Sequence, residues 1–209
     1  MSLVESNEKS PAIVFDLGGV LIDWNPRHLY RKLLDGEQAV EEFLLKIGFT
    51  EWNHEQDKGR PFDEAVVELS AKFPEYRELI EAYDLRYAES LAGPIQPTVE
   101  IFQQLKHAGH PLYALSNWNG DKFRMVRRQF PFLDAFQAIV ISGEVGLAKP
   151  DPRIFDVLLE KIHREAGDCL FIDDAEANIA TALRMGFETI HFKSPEQLRD
   201  ALRGMGLIL

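Results

Sequence analysis

Four of the five short apolar runs in this chain stop at a carboxylate, a hydroxyl or a turn residue. The runs cover residues 12–17, 111–116, 138–142, 169–173 and 188–192, and helix-length stretches at 120–130, 152–163, 175–186 and 195–203 lie between and after the last four. Strand and helix alternating in this way predict a parallel sheet covered on both faces, because parallel neighbours are joined only through crossover connections. The expected class is α/β, a Rossmann-like doubly wound parallel sheet.

The alternation breaks once, between the first strand and the second. Residues 25–94 carry no strand pattern; Val40, Phe43, Leu44 and Ile47, then Phe62, Ala65, Val66, Leu69 and Phe73, then Tyr76, Leu79, Ile80 and Tyr83 recur at helical spacing. Pro26 suits the first turn of a helix, and Gly93-Pro94 marks the return to the sheet. The organisation predicted is an α/β core domain of residues 11–24 and 95–209, carrying an all-helical cap domain of residues 25–94. The aromatic residues of these stripes are expected to be core. Residues 1–10, polar and aperiodic, are expected to form a mobile arm, and Gly204-Met205-Gly206 a loose tail.

Composition removes several function classes. A chain of 209 residues, 45% hydrophobic, buries roughly 70% of its unfolded surface and needs neither disulfides nor a structural metal to fold. With Cys169 alone and no basic-then-apolar leader, a reducing, cytoplasmic setting is expected. Residues 12–22 form the longest apolar stretch, about half of what spans a bilayer and interrupted by Asp16 and two glycines, so no membrane partner is expected. With 23 Lys and Arg against 34 Asp and Glu, the net charge of -11 repels phosphate backbones and argues against nucleic acid. The small group Arg124, Arg127 and Arg128 reads as a solvated helix face. Monomer and dimer both stay open.

In an open parallel sheet, ligands bind beyond the carboxyl ends of the strands. The first strand runs into Asp16, followed by Leu17-Gly18-Gly19; the second ends at Ser116-Asn117; Lys149-Pro150-Asp151 follows the third; the fourth ends at Asp173-Asp174. Each has an ordinary alternative as a turn, a strand exit, a loop lysine or a helix cap. Together they bring carboxylates, a hydroxyl and an amine to one edge, which an apolar sheet tolerates when a cation or an anionic substrate sits among them.

The order and surroundings of these segments resemble the haloacid dehalogenase superfamily, most of whose members are phosphatases. The likeness rests on Ile13-Val14-Phe15-Asp16-Leu17-Gly18-Gly19-Val20-Leu21, Leu115-Ser116-Asn117, Gly146-Leu147-Ala148-Lys149-Pro150-Asp151 and Phe171-Ile172-Asp173-Asp174 with Asn178, and spans residues 12–192. A helical insert after the first motif matches one cap type of that superfamily. Within it the chain is similar to bacterial sugar-phosphate phosphatases such as α-D-glucose-1-phosphate phosphatase, and to the phosphatase domain of soluble epoxide hydrolase. The resemblance implies hydrolysis of a small-molecule phosphate ester. Asp16 would attack phosphorus and form an aspartyl-phosphate, and Mg²⁺ would be held by Asp16, the Gly18 carbonyl and Asp174. It implies that Ser116 and the Asn117 N–H bind the phosphoryl oxygens, and that Lys149 offsets the charge of carboxylate and phosphate together. Asp173 and Asn178 would position this machinery.

One position departs from the usual phosphatase pattern. Two places after the nucleophile most such phosphatases carry a second Asp, the acid that protonates the leaving oxygen; here that place is Gly18. The superfamily's dehalogenases also lack this Asp, so hydrolysis of a 2-haloacid is the rival reading, and a catalytically weak binding or scaffold protein is another. Dehalogenases work without metal, whereas Asp173-Asp174 has the look of a metal site. Without a positioned acid, turnover is expected to be modest and to favour good leaving groups; His54 is the substitute donor that the cap sequence suggests. The segment from Trp52 to Pro61 resembles the specificity loop of this cap type, and Lys58, Arg60 and Trp24 are expected to meet the substrate.

Overall fold

The computed structural model describes residues 10–208. The expected mobile arm lies outside these residues except for Ser10, which hydrogen-bonds His110 Nδ1 at 2.6 Å. Seven strands are formed among the described residues: β1 (Ala12–Phe15), β2 (Ile22–Trp24), β3 (Leu91–Pro94), β4 (Leu112–Ser116), β5 (Ala138–Ile141), β6 (Cys169–Asp173) and β7 (Glu188–His191). Five make one sheet in the order β5-β4-β1-β6-β7, with every neighbouring pair parallel.

The central strand β1 is fully buried, as a strand covered on both faces must be. Its side chains alternate between two cores. Ile13 and Phe15 join Leu112, Ala114, Leu170 and Ile172 on one face. That face is covered by α6 (Gln96–His107) through Phe102 and Leu105, and by α11 (Pro195–Gly204) through Leu198 and Leu202. Ala12 and Val14 join Tyr113, Leu115, Cys169 and Phe171 on the other. Here the cover is α9 (Pro152–Ile162), through Ile154, Phe155 and Leu158, and α10 (Glu176–Arg184), through Ile179 and Ala182. This is the doubly wound sheet that the sequence predicts. The sheet domain also contains α7 (Gly120–Val126) and the short α8 (Ser142–Val145).

Between β2 and β3 the chain forms α1 (Pro26–Tyr30), α2 (Glu37–Ile47), α3 (Phe49–Asp57), α4 (Phe62–Lys72) and α5 (Arg77–Leu85). Asn25 caps α1, its side chain accepting from Arg27 N at 3.0 Å, and Pro26 supplies the preset first turn. The centre of this insert is aromatic: Tyr83 lies 4.9 Å from Phe49, 5.9 Å from Phe62 and 5.4 Å from Tyr87, ring centre to ring centre. The expected helical stripes are therefore core, as their spacing indicates.

Three details differ from the sequence reading. Residues 25–94 were expected to hold no strand, yet β3 pairs antiparallel with β2, Ile22 opposite Pro94, and closes the base of the insert. Four residues ending in Gly-Pro carry too little pattern to show as a strand. The segment from Trp52 to Pro61 is largely the second half of α3 and not a loop. The tail after Gly204 folds back: Ile208 is buried and the Leu207 carbonyl hydrogen-bonds His110 Nε2 at 3.1 Å. Arg124, Arg127 and Arg128 form an exposed face, as their reading as a solvated helix surface has it, with Arg124 paired to Asp121 and Glu144 and Arg127 to Asp134.

Phe102 seals the contact of α6 with the sheet, 5.8 Å from the Phe15 ring and 4.8 Å from Phe136. Phe102→Ala is expected to cost about 3–5 kcal/mol through lost burial and the cavity left behind, read as a lower urea midpoint with an unchanged slope.

Candidate active site

The tips of β1, β4 and β6 and the loop before α9 converge on one point. Asp16, the first residue past β1, is still tied to the sheet by its N–H, which donates to the Ile172 carbonyl at 2.8 Å. Its Oδ1 accepts from the Leu17 N–H at 2.7 Å. Lys149 Nζ stands 3.1 Å from Asp16 Oδ2, 2.6 Å from Asp173 Oδ2 and 2.8 Å from the Leu115 carbonyl. The Lys149 and Asp173 side chains are wholly buried. Burial alone drives a lysine toward its neutral form, but Asp16 and Asp173 outweigh it and hold the ammonium above the usual range.

Each member of this group is fixed by a second contact. The Asn117 side chain clasps the backbone of Lys149, donating through Nδ2 to its carbonyl and accepting at Oδ1 from its N–H, both at 2.8 Å. Asp173 accepts from Asn178 Nδ2 at 3.0 and 3.1 Å and from the Ala175 N–H at 2.8 Å. With Lys149 added, the lone pairs of Asp173 are largely used. Ser116, almost fully buried, ends β4 beside this cluster.

Asp174 is the carboxylate left over. It packs over Gly19, where an added Cβ would stand 2.5 Å from Asp174 Oδ2, and Gly19 holds a φ of +74°. The positive φ favours glycine at that position, and an added Cβ would displace the Asp174 carboxylate. Carboxylate oxygens of Asp16, Asp173 and Asp174 lie within 4.8 Å of one another. Burial pushes the Asp16 carboxyl up, Lys149 pulls it back, and Asp173 and Asp174 push it further. Burial and Asp173 likewise raise Asp174. Three crowded carboxylates against one ammonium leave an excess of negative charge, and a donor set made only of oxygens suits a hard divalent cation.

Gly18 differs from Gly19. Its backbone lies outside the left-handed region, and a Cβ there would meet nothing within 4 Å. The absence of a side chain at this position is a chemical feature and not a steric requirement.

A cavity of about 880 Å³ opens beside Asn117 and Ala175 and is otherwise lined by the insert, including Trp24, Arg27, Phe49, Asn53, His54 and Asp57. Trp24 stands at the wall of the cavity. Lys58 and Arg60 are not among its lining residues. Lys58 pairs with Glu55 at 2.8 Å and faces a smaller cleft with Leu147 and Arg153, while Arg60 pairs with Glu68. Acidic neighbours take up both charges, Glu55 from the preceding turn of α3 and Glu68 from α4. Residues that sequence reasoning did not single out are Asn53, Asp57, Asn119 and Ser142. The last two tie the end of α3 to the sheet domain, through Asn119 Nδ2 to the Gln56 carbonyl at 3.1 Å and Ser142 Oγ to the Asp57 carbonyl. Asn119 carried one local signal: it precedes α7 and caps it, accepting at 3.1 Å from the N–H groups of Asp121 and Lys122.

Lys149→Met would leave Asp16 and Asp173 buried without their shared cation. The expected loss of stability at pH 7 is about 3–5 kcal/mol in urea titration, and an effect below 1 kcal/mol would show that the ammonium is not the organising charge of this edge.

Residues 11–186 match the family model of haloacid dehalogenase-like hydrolases. A sesquiterpene phosphatase of Aspergillus oryzae is 26% identical over 86% of this chain and 88% of its own. A D-ribitol-5-phosphate phosphatase of Bacteroides thetaiotaomicron is 25% identical over 94% and 97%. Among solved structures, the magnesium complex of a haloacid dehalogenase family enzyme from the same Bacteroides species superposes with a TM-score of 0.68 at 26% identity, covering 92% of this chain and 98% of that one. With a family match over most of its length and the strand-tip cluster in place, the chain belongs to the haloacid dehalogenase-like hydrolases.

Proposed function

We propose that this hydrolase is a Mg²⁺-dependent phosphatase acting on a small phosphorylated metabolite, with sugar phosphates the leading class, through an aspartyl-phosphate on Asp16. The observation that carries the reading is the Asp16 carboxylate at the tip of β1, 3.1 Å from a buried lysine and within 4.8 Å of two further carboxylates. Asp16 Oδ attacks phosphorus in line; the bond to the alcohol oxygen breaks, and water then hydrolyses the acyl phosphate and regenerates Asp16. Lys149 offsets the approach of a carboxylate to a phosphate dianion, which is strongly repulsive at close range. Ser116 Oγ and the Asn117 N–H bind the phosphoryl oxygens. The Asn117 side chain, occupied with the Lys149 backbone, keeps that loop and the amine in register.

Asp16, the Gly18 carbonyl and Asp174 would hold Mg²⁺, which when bound supplies charge neutralisation at the phosphoryl oxygens. Asp173 is taken up by Lys149, Asn178 and Ala175 and acts as a positioning residue together with Asn178. Residues 25–94 act as the cap over a core of residues 11–24 and 95–209, and exclude water from the reaction. Arg27, Asn53 and His54 on the cavity wall offer hydrogen bonds to a polyol. A phosphatase relative that acts on D-ribitol 5-phosphate supports that class. The single buried thiol Cys169 is in keeping with a cytoplasmic enzyme, as monomer or dimer.

The rival is a 2-haloacid dehalogenase, whose metal-free chemistry has no use for a third carboxylate, Asp174, within 4.8 Å of Asp16 and Asp173. A non-catalytic binding protein is the other alternative. The deciding experiment follows p-nitrophenyl phosphate with Mg²⁺ and with excess EDTA, beside chloride release from 2-chloropropionate. Metal-dependent release of p-nitrophenol is expected, with no chloride. Chloride release without metal would establish the dehalogenase, and neither product would leave a binding protein.

Two substitution sets sharpen the test. Asp16→Asn is expected to lower kcat by about 10³-fold or more while the protein stays folded, and Asp174→Ala to raise the Mg²⁺ concentration needed for half-maximal rate by at least about tenfold. Lys58→Ala with Arg60→Ala is expected to leave the ranking of a sugar-phosphate panel unchanged, because both side chains are held in ion pairs outside the main cavity; a reordered ranking would return them to the substrate site.

A further inference from the structure

The proposed reaction lacks a proton donor on the β1 loop, because Gly18 has no side chain. An alkoxide expelled without a proton is a poor leaving group, so a phosphatase of alcohol phosphates needs an acid from elsewhere. The titratable groups on the cavity wall are Arg27, Glu41, Glu51, His54 and Asp57. Arg27 and Glu41 pair with each other at 2.7 Å, and Glu51 is exposed. His54 is held below its usual range, by burial and then by Lys58, which disfavours the protonated form that would donate.

Asp57 differs from all of these. It ends α3 and makes no ion pair among the described residues. Its Oδ2 accepts from Asn53 Nδ2 at 3.0 Å, and the Asn53 amide is itself oriented by the Tyr83 hydroxyl, which donates to Oδ1 at 3.1 Å. The backbone around it is pinned to the sheet domain: Ser142 Oγ donates to the Asp57 carbonyl, and Asn119 Nδ2 donates to the carbonyls of Gln56 and Arg60 at 3.1 and 3.4 Å. Gly59, two residues on, lies against Gly143 so closely that a Cβ would stand 2.9 Å from its carbonyl. These contacts fasten Asp57 to the loops that leave β4 and β5, next to the phosphate-binding Ser116-Asn117, and on the wall of the cavity that the ester must occupy.

We propose that Asp57 is the general acid of this enzyme, delivered by the cap in place of the carboxylate missing at Gly18. The assignment rests on the phosphatase reading and deepens it. As Asp16 Oδ forms its bond to phosphorus, the bond from phosphorus to the ester oxygen breaks, the electron pair stays on that oxygen, and the Asp57 carboxyl gives it a proton. The resulting Asp57 carboxylate then takes a proton from the water that attacks the aspartyl-phosphate, so the second step restores both residues. Burial pushes the Asp57 carboxyl up to about 7, a backbone hydrogen bond at Asn119 draws it partly back, and the charge of Asp16 adds to the rise, so that acid and base forms are both populated near neutral pH, as the two steps need.

The test compares kcat/KM for p-nitrophenyl phosphate and for a primary alkyl phosphate, both with saturating Mg²⁺, in the parent, Asp57→Asn, Gly18→Asp and the double variant. p-Nitrophenolate leaves without a proton; an alkoxide does not. Asp57→Asn is expected to lose about 10²-fold or more on the alkyl ester and less than about tenfold on the aryl ester, and Gly18→Asp, for which the structure has room, to restore at least tenfold on the alkyl ester in that background. Equal losses on the two esters, or no loss on the alkyl one, would overturn the assignment. If Asp57→Asn does not fold, judged by its thermal transition, Gly18→Asp alone decides. With Asp57 already supplying the proton it is expected to gain less than about threefold on the alkyl ester, whereas a gain of tenfold or more would show that the parent has no such acid. A parent that hydrolyses neither ester with Mg²⁺ would instead fail the phosphatase reading itself.

Discussion

A single ammonium organises the reactive edge of this sheet. Lys149 Nζ reaches the Leu115 carbonyl on β4, Asp173 at the end of β6 and Asp16 beyond β1, so three strand tips are joined through one buried charge. An unpaired carboxylate at the end of an apolar strand would protonate or draw in water. Lys149 is shared by Asp16 and Asp173 away from solvent and draws the Asp16 carboxyl back against the rise that burial imposes, while Asp174 lies on the open side. The surplus negative charge in this cluster is of the kind that a hard cation offsets.

The rest of the fold keeps that ammonium in place. Its backbone is gripped by Asn117 from the loop after β4, and its main partner Asp173 is gripped by Asn178 from the first turns of α10. These contacts cross between 5 and 32 residues of sequence, yet all arise where strands end and helices begin. Side-chain amides suit this task because they donate and accept without adding charge to a site that already carries too much.

Much of this was legible before any coordinates. β1, β4 and β6 are buried on both faces and read as unbroken apolar runs, so the polar residue that ends each one stands out, and the positions of Asp16, Ser116 and Asp173 follow. β3 was not legible, because four half-exposed residues with Gly-Pro resemble a turn more than a strand. Lys58 and Arg60 read as free cations, whereas Glu55, one helical turn before Lys58, and Glu68, eight residues after Arg60, pair with them; the spacing was visible, but the direction in which the side chains turn was not. Asp57 was the least visible. Its environment is made by Ser142, Asn119 and Tyr83, which lie 85, about 60 and 26 residues away, and only folding brings them together.

The attachment of α3 to the sheet domain bears on how the cavity works. The carbonyls of Gln56 and Arg60 accept from Asn119 Nδ2 and that of Asp57 from Ser142 Oγ, and Lys122 reaches across to the Asp84 carbonyl at 2.8 Å, its ammonium 4.6 Å from the centre of the Phe62 ring. Such contacts involve backbone acceptors that water can also satisfy, so separating the insert from the sheet exposes them without leaving them unpaired. The tight approach of Gly59 to Gly143 and the buried Lys122 work the other way, since they lose packing and desolvated charge when the halves part. The insert is thus joined to the sheet by a mixture of replaceable hydrogen bonds and a few close contacts, and together they set the register of α3 over the strand tips.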